Sequence, residues 1–169
     1  MKSKYDQVFL EKTQQLLPDF DWRKFKAQAM AESNLQLLAV SHAGAIGLMQ
    51  IMPPTGREMG YTESELQNPT QNIEAGIRYM KKMFHYWKQI EDDNERWQFA
   101  LASYNAGMGN IKAAFNKARR ADYESDVWSC VSPFLSKVTG RHSKETINYV
   151  ARVIKKFKKL ESEETLKEV

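Results

Sequence analysis

Apolar residues in this chain recur at steps of three and four, while strand-like alternation is scarce, so the fold must be built from helices. Lys4 to Leu17 reads as a first helix closed by Pro18, and Asp21 is placed to cap a second from Trp22 to about Asn34. A loop with Gly44 and Gly47 follows, then a short helix around Leu48 to Met52 that Pro53 and Pro54 stop. Asn68-Pro69 opens a long helix with Ile73, Ile77, Met80, Phe84 and Trp87 at helical spacing. Glu95 to Ala106 is another, ended by Gly107, and Ile111 to Arg119 continues as helix. Tyr123 to Val138, with Pro133 inside it, is the least regular stretch. Ser143 is placed to cap a last helix supported by Ile147, Val150, Ala151, Ile154 and Phe157. The expectation is an all-α fold of about seven to nine helices.

The chain has 169 residues and one cysteine, Cys130, so it reads as one domain held by packing alone. Cys130 is expected to behave as a buried small hydrophobe. The organisation read from the pattern is an N-terminal helix within 1–20, a core over 22–157, and a charged tail over 161–169 that frays. The N-terminus begins polar, no signal peptide is visible, and no apolar run approaches the roughly 18 residues of a membrane span. The net charge of +4 suits an anionic partner: wall polymer, nucleic acid or phospholipid head groups. Much of it is local, because Arg141 to Lys159 sets seven basic residues against Glu145 alone. Aromatics at core spacing, rather than in a stacking platform, argue against nucleic acid. No His/Cys cluster or phosphate loop is present, so no metal and no cofactor are expected, and His42, His85 and His142 read as isolated.

One residue breaks the pattern. Trp22, Phe25, Ala29 and Glu32 form a stripe that should face the core, and Glu32 falls where an apolar residue belongs. A carboxyl partly removed from water is held neutral to higher pH, which suits a proton donor to a glycosidic oxygen. A frayed helix end reaching solvent would explain the position equally simply. Beyond it, the run Ser41 to Ile51 supplies small residues that admit a ligand to the backbone, with Met49 as an apolar contact and Gln50 as an amide. Ser103-Tyr104-Asn105-Ala106-Gly107 sets a phenol and an amide at another helix end, where Asn105 can also be a simple C-cap.

Together, Glu32-Ser33, Ser41, Gly47-Leu48-Met49-Gln50, Tyr104-Asn105-Ala106-Gly107 and Glu145-Thr146-Ile147-Asn148-Tyr149-Val150 resemble, in order and spacing, the catalytic domain of soluble lytic transglycosylases (SLT). The resemblance covers roughly Trp22 to Phe157, and Ser103 departs from it where the family usually has alanine. It implies a lysozyme-like α fold around a substrate groove and cleavage of the β-1,4 bond between N-acetylmuramic acid and N-acetylglucosamine. It further implies that Glu32 protonates the leaving oxygen and then, as carboxylate, takes the proton of the muramoyl 6-hydroxyl, which closes a 1,6-anhydro ring. Ser41 matches a serine near the substrate acetamido group and Tyr149 a tyrosine beside the catalytic carboxyl. Met49, Gln50, Tyr104 and Asn105 match positions that line the sugar groove.

The residues fit ring closure. No acid lies between Glu32 and Glu58, so a second carboxylate just downstream is missing, although Glu58 or a distant acid could fold back. Glu145 is read as an acid in a helix's first turn, favourable to the dipole. The alternatives are a muramidase that adds water in the same groove, and a non-catalytic wall-binding module. The partner implied is the peptidoglycan glycan strand, met by a monomer whose basic face rests on anionic wall or membrane surface. The setting implied is the periplasm or cell envelope, or a phage particle.

Overall fold

Pro18 and Asp21 do what their chemistry dictates. Helix α1 (Asp6–Leu16) stops ahead of the proline, and α2 (Trp22–Glu32) begins with the Asp21 carboxylate accepting the Arg23 N–H at 2.9 Å. The computed structural model describes residues 3–165. Among these, the secondary structure is helical apart from the isolated bridges Val40–Ile46 and Ile46–Ile51. No described helix is long and apolar enough to cross a membrane.

The chain up to Lys81, with the segment from Arg152 onward, forms one compact unit. Phe9 of α1 and Phe25 of α2 are fully buried within it. Lys26, only 2% exposed, reaches Asp6 at 2.7 Å and so ties α2 to α1 by an ion pair that neither partner can leave cheaply. The prolines after the loop act opposite to expectation. Residues 48–52 form turns and a bridge, and α3 (Pro53–Glu58) starts at the prolines instead of ending there. The first turn of a helix has no use for the missing N–H, and the fixed proline φ suits it. A single turn, α4 (Glu63–Leu66), follows under a capping box between Thr62 and Glu65. Asn68 then caps α5 (Pro69–Tyr86), accepting the Thr70 and Gln71 N–H groups.

Glu74 of α5 gathers three partners. Lys12 of α1 lies 2.7 Å away, Arg78 2.8 Å, and Tyr61 donates its phenol. The hydrogen bond from Lys12, opposed by burial and reinforced by Arg78 and Tyr61, lowers the Glu74 carboxyl from 4.5 to about 2. The cluster therefore fastens α1 and the Tyr61 loop to α5.

Lys82–Ala151 form the second unit. Helix α6 (Asp93–Ala106) is capped by Asp92 and ends at Gly107, whose φ of 85° turns the chain directly into α7 (Met108–Arg120). That turn is tighter than the interval to Ile111 suggested. The irregular stretch resolves into α8 (Trp128–Val131), a 3-10 turn over Ser132–Leu135 and α9 (Ser136–Thr139). A second 3-10 turn, Gly140–His142, leads into α10 (Ser143–Thr165). Ser143 is the first helical residue, not a cap, and its hydroxyl donates to the Gly140 carbonyl at 2.8 Å. The buried stripe of α10 is Thr146, Tyr149, Val150, Val153, Phe157 and Leu160, with Ala151 exposed, because Tyr149 claims a core position. Helix continues to Thr165, so the tail expected to fray over 161–169 is helical as far as it is described; residues 166–169 lie outside the described residues.

The core of this unit is aromatic. Trp87 lies 5.0 Å from Phe99 and 5.3 Å from Phe115, and Phe99 lies 5.4 Å from Trp128. The buried indole of Trp87 donates to Ser103 Oγ at 2.8 Å. Ser103, the departure from the family pattern, thus has a physical reason: an alanine would orphan that N–H.

Two outcomes follow from these contacts. Ser103→Ala lowers the unfolding free energy by about 1–3 kcal/mol in urea titration followed by tryptophan fluorescence. Because the Glu74 carboxyl is depressed in the folded state, its stabilisation is present above pH 4.5 and lost as pH falls towards 2. The Tm gap between the unsubstituted chain and Glu74→Gln is therefore open at pH 6 and closes across that window.

Candidate active site

Glu32 is the last residue of α2 and half-buried, so the backbone turns away immediately after it. Asn34 and Leu35 both adopt left-handed φ values, 54° and 61°, which bulky residues hold only when neighbours fix them. The fixing comes from Ser33. Its buried hydroxyl donates to the Leu48 carbonyl at 2.9 Å and lies 3.2 Å from the Ala29 carbonyl, tying the end of α2 to the Gly-Leu-Met-Gln loop.

That loop is pinned from the other side by Asn72, a residue of α5 the sequence reading did not single out. Asn72 is 0% exposed, and its side-chain amide is spent entirely on backbone. Oδ1 accepts the Met49 N–H at 2.8 Å, and Nδ2 donates to the carbonyls of Ile46 at 2.9 Å and Leu66 at 2.8 Å. Gly47 makes room for it. With φ of 76°, the position disfavours any side chain, and a Cβ there would collide with Asn72 Nδ2. The one signal available was a polar residue sharing a helix turn with Ile73 of the apolar stripe.

Within the loop, the expected substrate contacts divide. Met49 is 0% exposed, and a Cβ on Gly76 would stand 2.6 Å from its Cγ. Its side chain packs against α5 at Gly76. Gln50, half-buried with φ of 48°, donates both amide hydrogens inward, to the Ala39 carbonyl at 3.1 Å and the Gly47 carbonyl at 2.9 Å. These two acceptors fix the amide orientation and leave its carbonyl oxygen as the end able to receive a hydroxyl. Ser41 accepts the Ala45 N–H at 3.0 Å, which leaves its own hydrogen to donate. Glu58, raised from sequence as an acid that could fold back, is exposed at the end of α3.

In the second unit, Tyr104 is half-buried and Asn105 exposed, one turn before the Gly107 break. Asn105 is inside α6 and does not cap it. Its Oδ1 accepts the Thr146 hydroxyl at 2.8 Å, so α10 holds the amide that α6 presents. Thr146 is nearly buried, and Tyr149, one turn further along the same face, is 2% exposed. Glu145 is exposed in the first turn of α10, the place where an acid favours the helix dipole. His42, His85 and His142 are exposed, and Cys130 is half-buried rather than buried.

Comparison with known proteins places this arrangement. A model of the transglycosylase SLT domain matches residues 10–127, and the motif Glu145 to Val150 lies beyond that match. The membrane-bound lytic murein transglycosylase F of Desulfosudis oleivorans is 33% identical over 146 residues, covering 80% of this chain and 32% of the relative. Its namesake in Shewanella halifaxensis is 34% identical over 70% of this chain and 25% of the relative. The chain therefore spans about a third or less of these relatives' length. Among solved structures, the 70 kDa soluble lytic transglycosylase of Escherichia coli aligns with a TM-score of 0.69 at 23% identity, over 90% of this chain and 23% of that one. An inactive Glu-to-Gln mutant of the lytic transglycosylase Slt from Pseudomonas aeruginosa aligns with a TM-score of 0.68 at 24% identity, over 91% and 23%. The likeness gives the fold, a lysozyme-like α domain.

The Gly47–Asn72 contact makes a quantitative prediction. Asn72→Ala and Gly47→Ala each destabilise the chain by about 2–4 kcal/mol. In a double-mutant cycle the cost of Gly47→Ala falls in the Asn72→Ala background, where the collision is gone and only the φ penalty remains. Strict additivity in urea unfolding would contradict the account.

Proposed function

The chain belongs to the transglycosylase SLT domain family, and from that premise we propose that it is a peptidoglycan lytic transglycosylase. It cleaves the β-1,4 bond between N-acetylmuramic acid and N-acetylglucosamine without consuming water. The observation that carries the reading is Glu32 itself, half-buried at the end of α2 and locked through Ser33 to the Gly-Leu-Met-Gln loop.

In the proposed reaction the Glu32 carboxyl gives its proton to the O4 of the leaving N-acetylglucosamine as the C1–O4 bond breaks. The substrate's own acetamido oxygen stabilises C1, with the Ser41 hydroxyl donating near that group. The Glu32 carboxylate then takes the proton from the muramoyl 6-hydroxyl as O6 bonds to C1. One proton leaves the carboxyl and one returns, so a single residue serves as acid and base. The lack of any acid between Glu32 and Glu58 supports this economy over a two-carboxylate scheme. Tyr149 is assigned to orient the carboxyl, and Tyr104, Asn105 and the Gln50 carbonyl to receive the sugars. The substrate fixes the setting as the cell envelope, where the wall polymer lies, with no cofactor needed for the proton transfers.

Water addition by the same residues is the rival outcome, and it would leave a reducing sugar. A module that only binds the wall is the other, and it would be indifferent to the loss of the Glu32 proton. Glu32→Gln abolishes lysis of purified sacculi, measured as loss of turbidity, with Tm within about 1 °C of the unsubstituted chain. Substantial residual lysis would sink the assignment. Tyr149→Phe lowers turnover by about tenfold, a loss of about 1.4 kcal/mol in transition-state stabilisation, and full activity would remove its role.

A further inference from the structure

We propose that the second unit carries a separate binding site, at the C-terminal end of α7, for a carboxylate-bearing peptide of the wall polymer. The proposal rests on the reading of peptidoglycan as substrate. Two adjoining open concavities of about 310 and 260 Å³ share Phe134 and Lys137 as walls. The first is closed by Tyr123 and Pro133, the second by Lys117 and Arg120. Tyr123 is 56% exposed, yet its ring stands edge-on to Phe134 at 5.2 Å, held there by the turn in which the Tyr123 N–H donates to the Ala118 carbonyl. Lys137 lies over the Phe134 ring at 5.1 Å. The result is an aromatic corner with cations on its flank.

The charge is the decisive feature. Among the described residues, none of Lys117, Arg120 and Lys137 pairs with an acid. The basic residues in the last turns of α7 and α9 are partly explained by the helix dipoles, but those do not account for the exposed tyrosine beside them. An extended polyanion or lipid surface fits poorly. Asp122, Glu124 and Asp126 lie in the same stretch, so residues 117–137 hold three acids against four cations and attract a broad negative surface little. The lining of the two concavities includes Lys117, Arg120 and Lys137 and none of these acids, so a short anionic group entering there faces cations. A peptide carboxylate on Arg120 or Lys137, with its adjoining side chain against Tyr123 and Phe134, uses both features.

The test uses the full chain carrying Glu32→Gln, so that strands stay intact, and measures Kd by fluorescence anisotropy. Three probes are compared: labelled glycan strands bearing peptides, the same strands stripped by an amidase, and phosphatidylglycerol–phosphatidylethanolamine vesicles. Arg120→Glu and Lys137→Glu, both exposed, each weaken peptide-bearing strands about tenfold and stripped strands less than about twofold, while Lys137→Arg restores binding. Unchanged affinity for peptide-bearing strands would overturn the site, as would an equal loss on stripped strands. A loss confined to vesicles would overturn it in favour of a membrane contact. Absence of sacculus lysis by the unsubstituted chain counts against the enzymatic reading alone, because the binding comparison is independent of turnover.

Discussion

Three hydrogen bonds from one buried amide organise the surroundings of Glu32. Asn72 closes on Met49, Ile46 and Leu66, and Gly47 is bare because any side chain would displace that amide. The loop so fixed offers the Leu48 carbonyl to Ser33, and Ser33 is the neighbour of Glu32. A chain of short bonds therefore runs from the interior of α5 to the proposed acid. Buried polar groups satisfied this completely resist displacement, since moving any one of them strands another. The left-handed residues Asn34 and Leu35 are the cost of turning the chain so abruptly after the end of α2.

The second unit repeats the device on a smaller scale. Asn105 faces outward from α6 while Thr146 of α10 holds its oxygen, so the amide is oriented before any ligand arrives. Gln50 works in the opposite sense, anchoring both amide hydrogens to the loop and leaving its carbonyl. Polar side chains that were candidates for substrate contact thus spend part of their bonding on their own backbone. Orientation of that kind is what lets a site act without reorganising.

Helix starts and stops were legible because their chemistry is local. Asp21 and Asn68 act within three residues of themselves and Gly107 within four, whereas Asp92, whose cap starts α6 two residues ahead of the expected Glu95, was not singled out. Pro53-Pro54 misled because proline serves both ends of a helix, and only the bridges at Ile46 show that the preceding residues are not helical. The burial of Met49 could not be read from the sequence, as it depends on Gly76, 27 positions later. Asn72 was invisible for the same reason, its partners lying 23 and 26 residues away. Family motifs pointed to the family, which periodicity could not, and they singled out Glu32 as the candidate acid where the apolar stripe alone left it ambiguous.

The central proposal is that Glu32 works alone, giving its proton to the leaving oxygen and taking another from the muramoyl 6-hydroxyl. Mass spectrometry of the muropeptides released by purified protein in water enriched in oxygen-18 tests this most directly. The account predicts 1,6-anhydromuramoyl ends, one water lighter than reducing ends and free of the heavy isotope. Reducing ends that carry oxygen-18 would contradict it and make the chain a hydrolase.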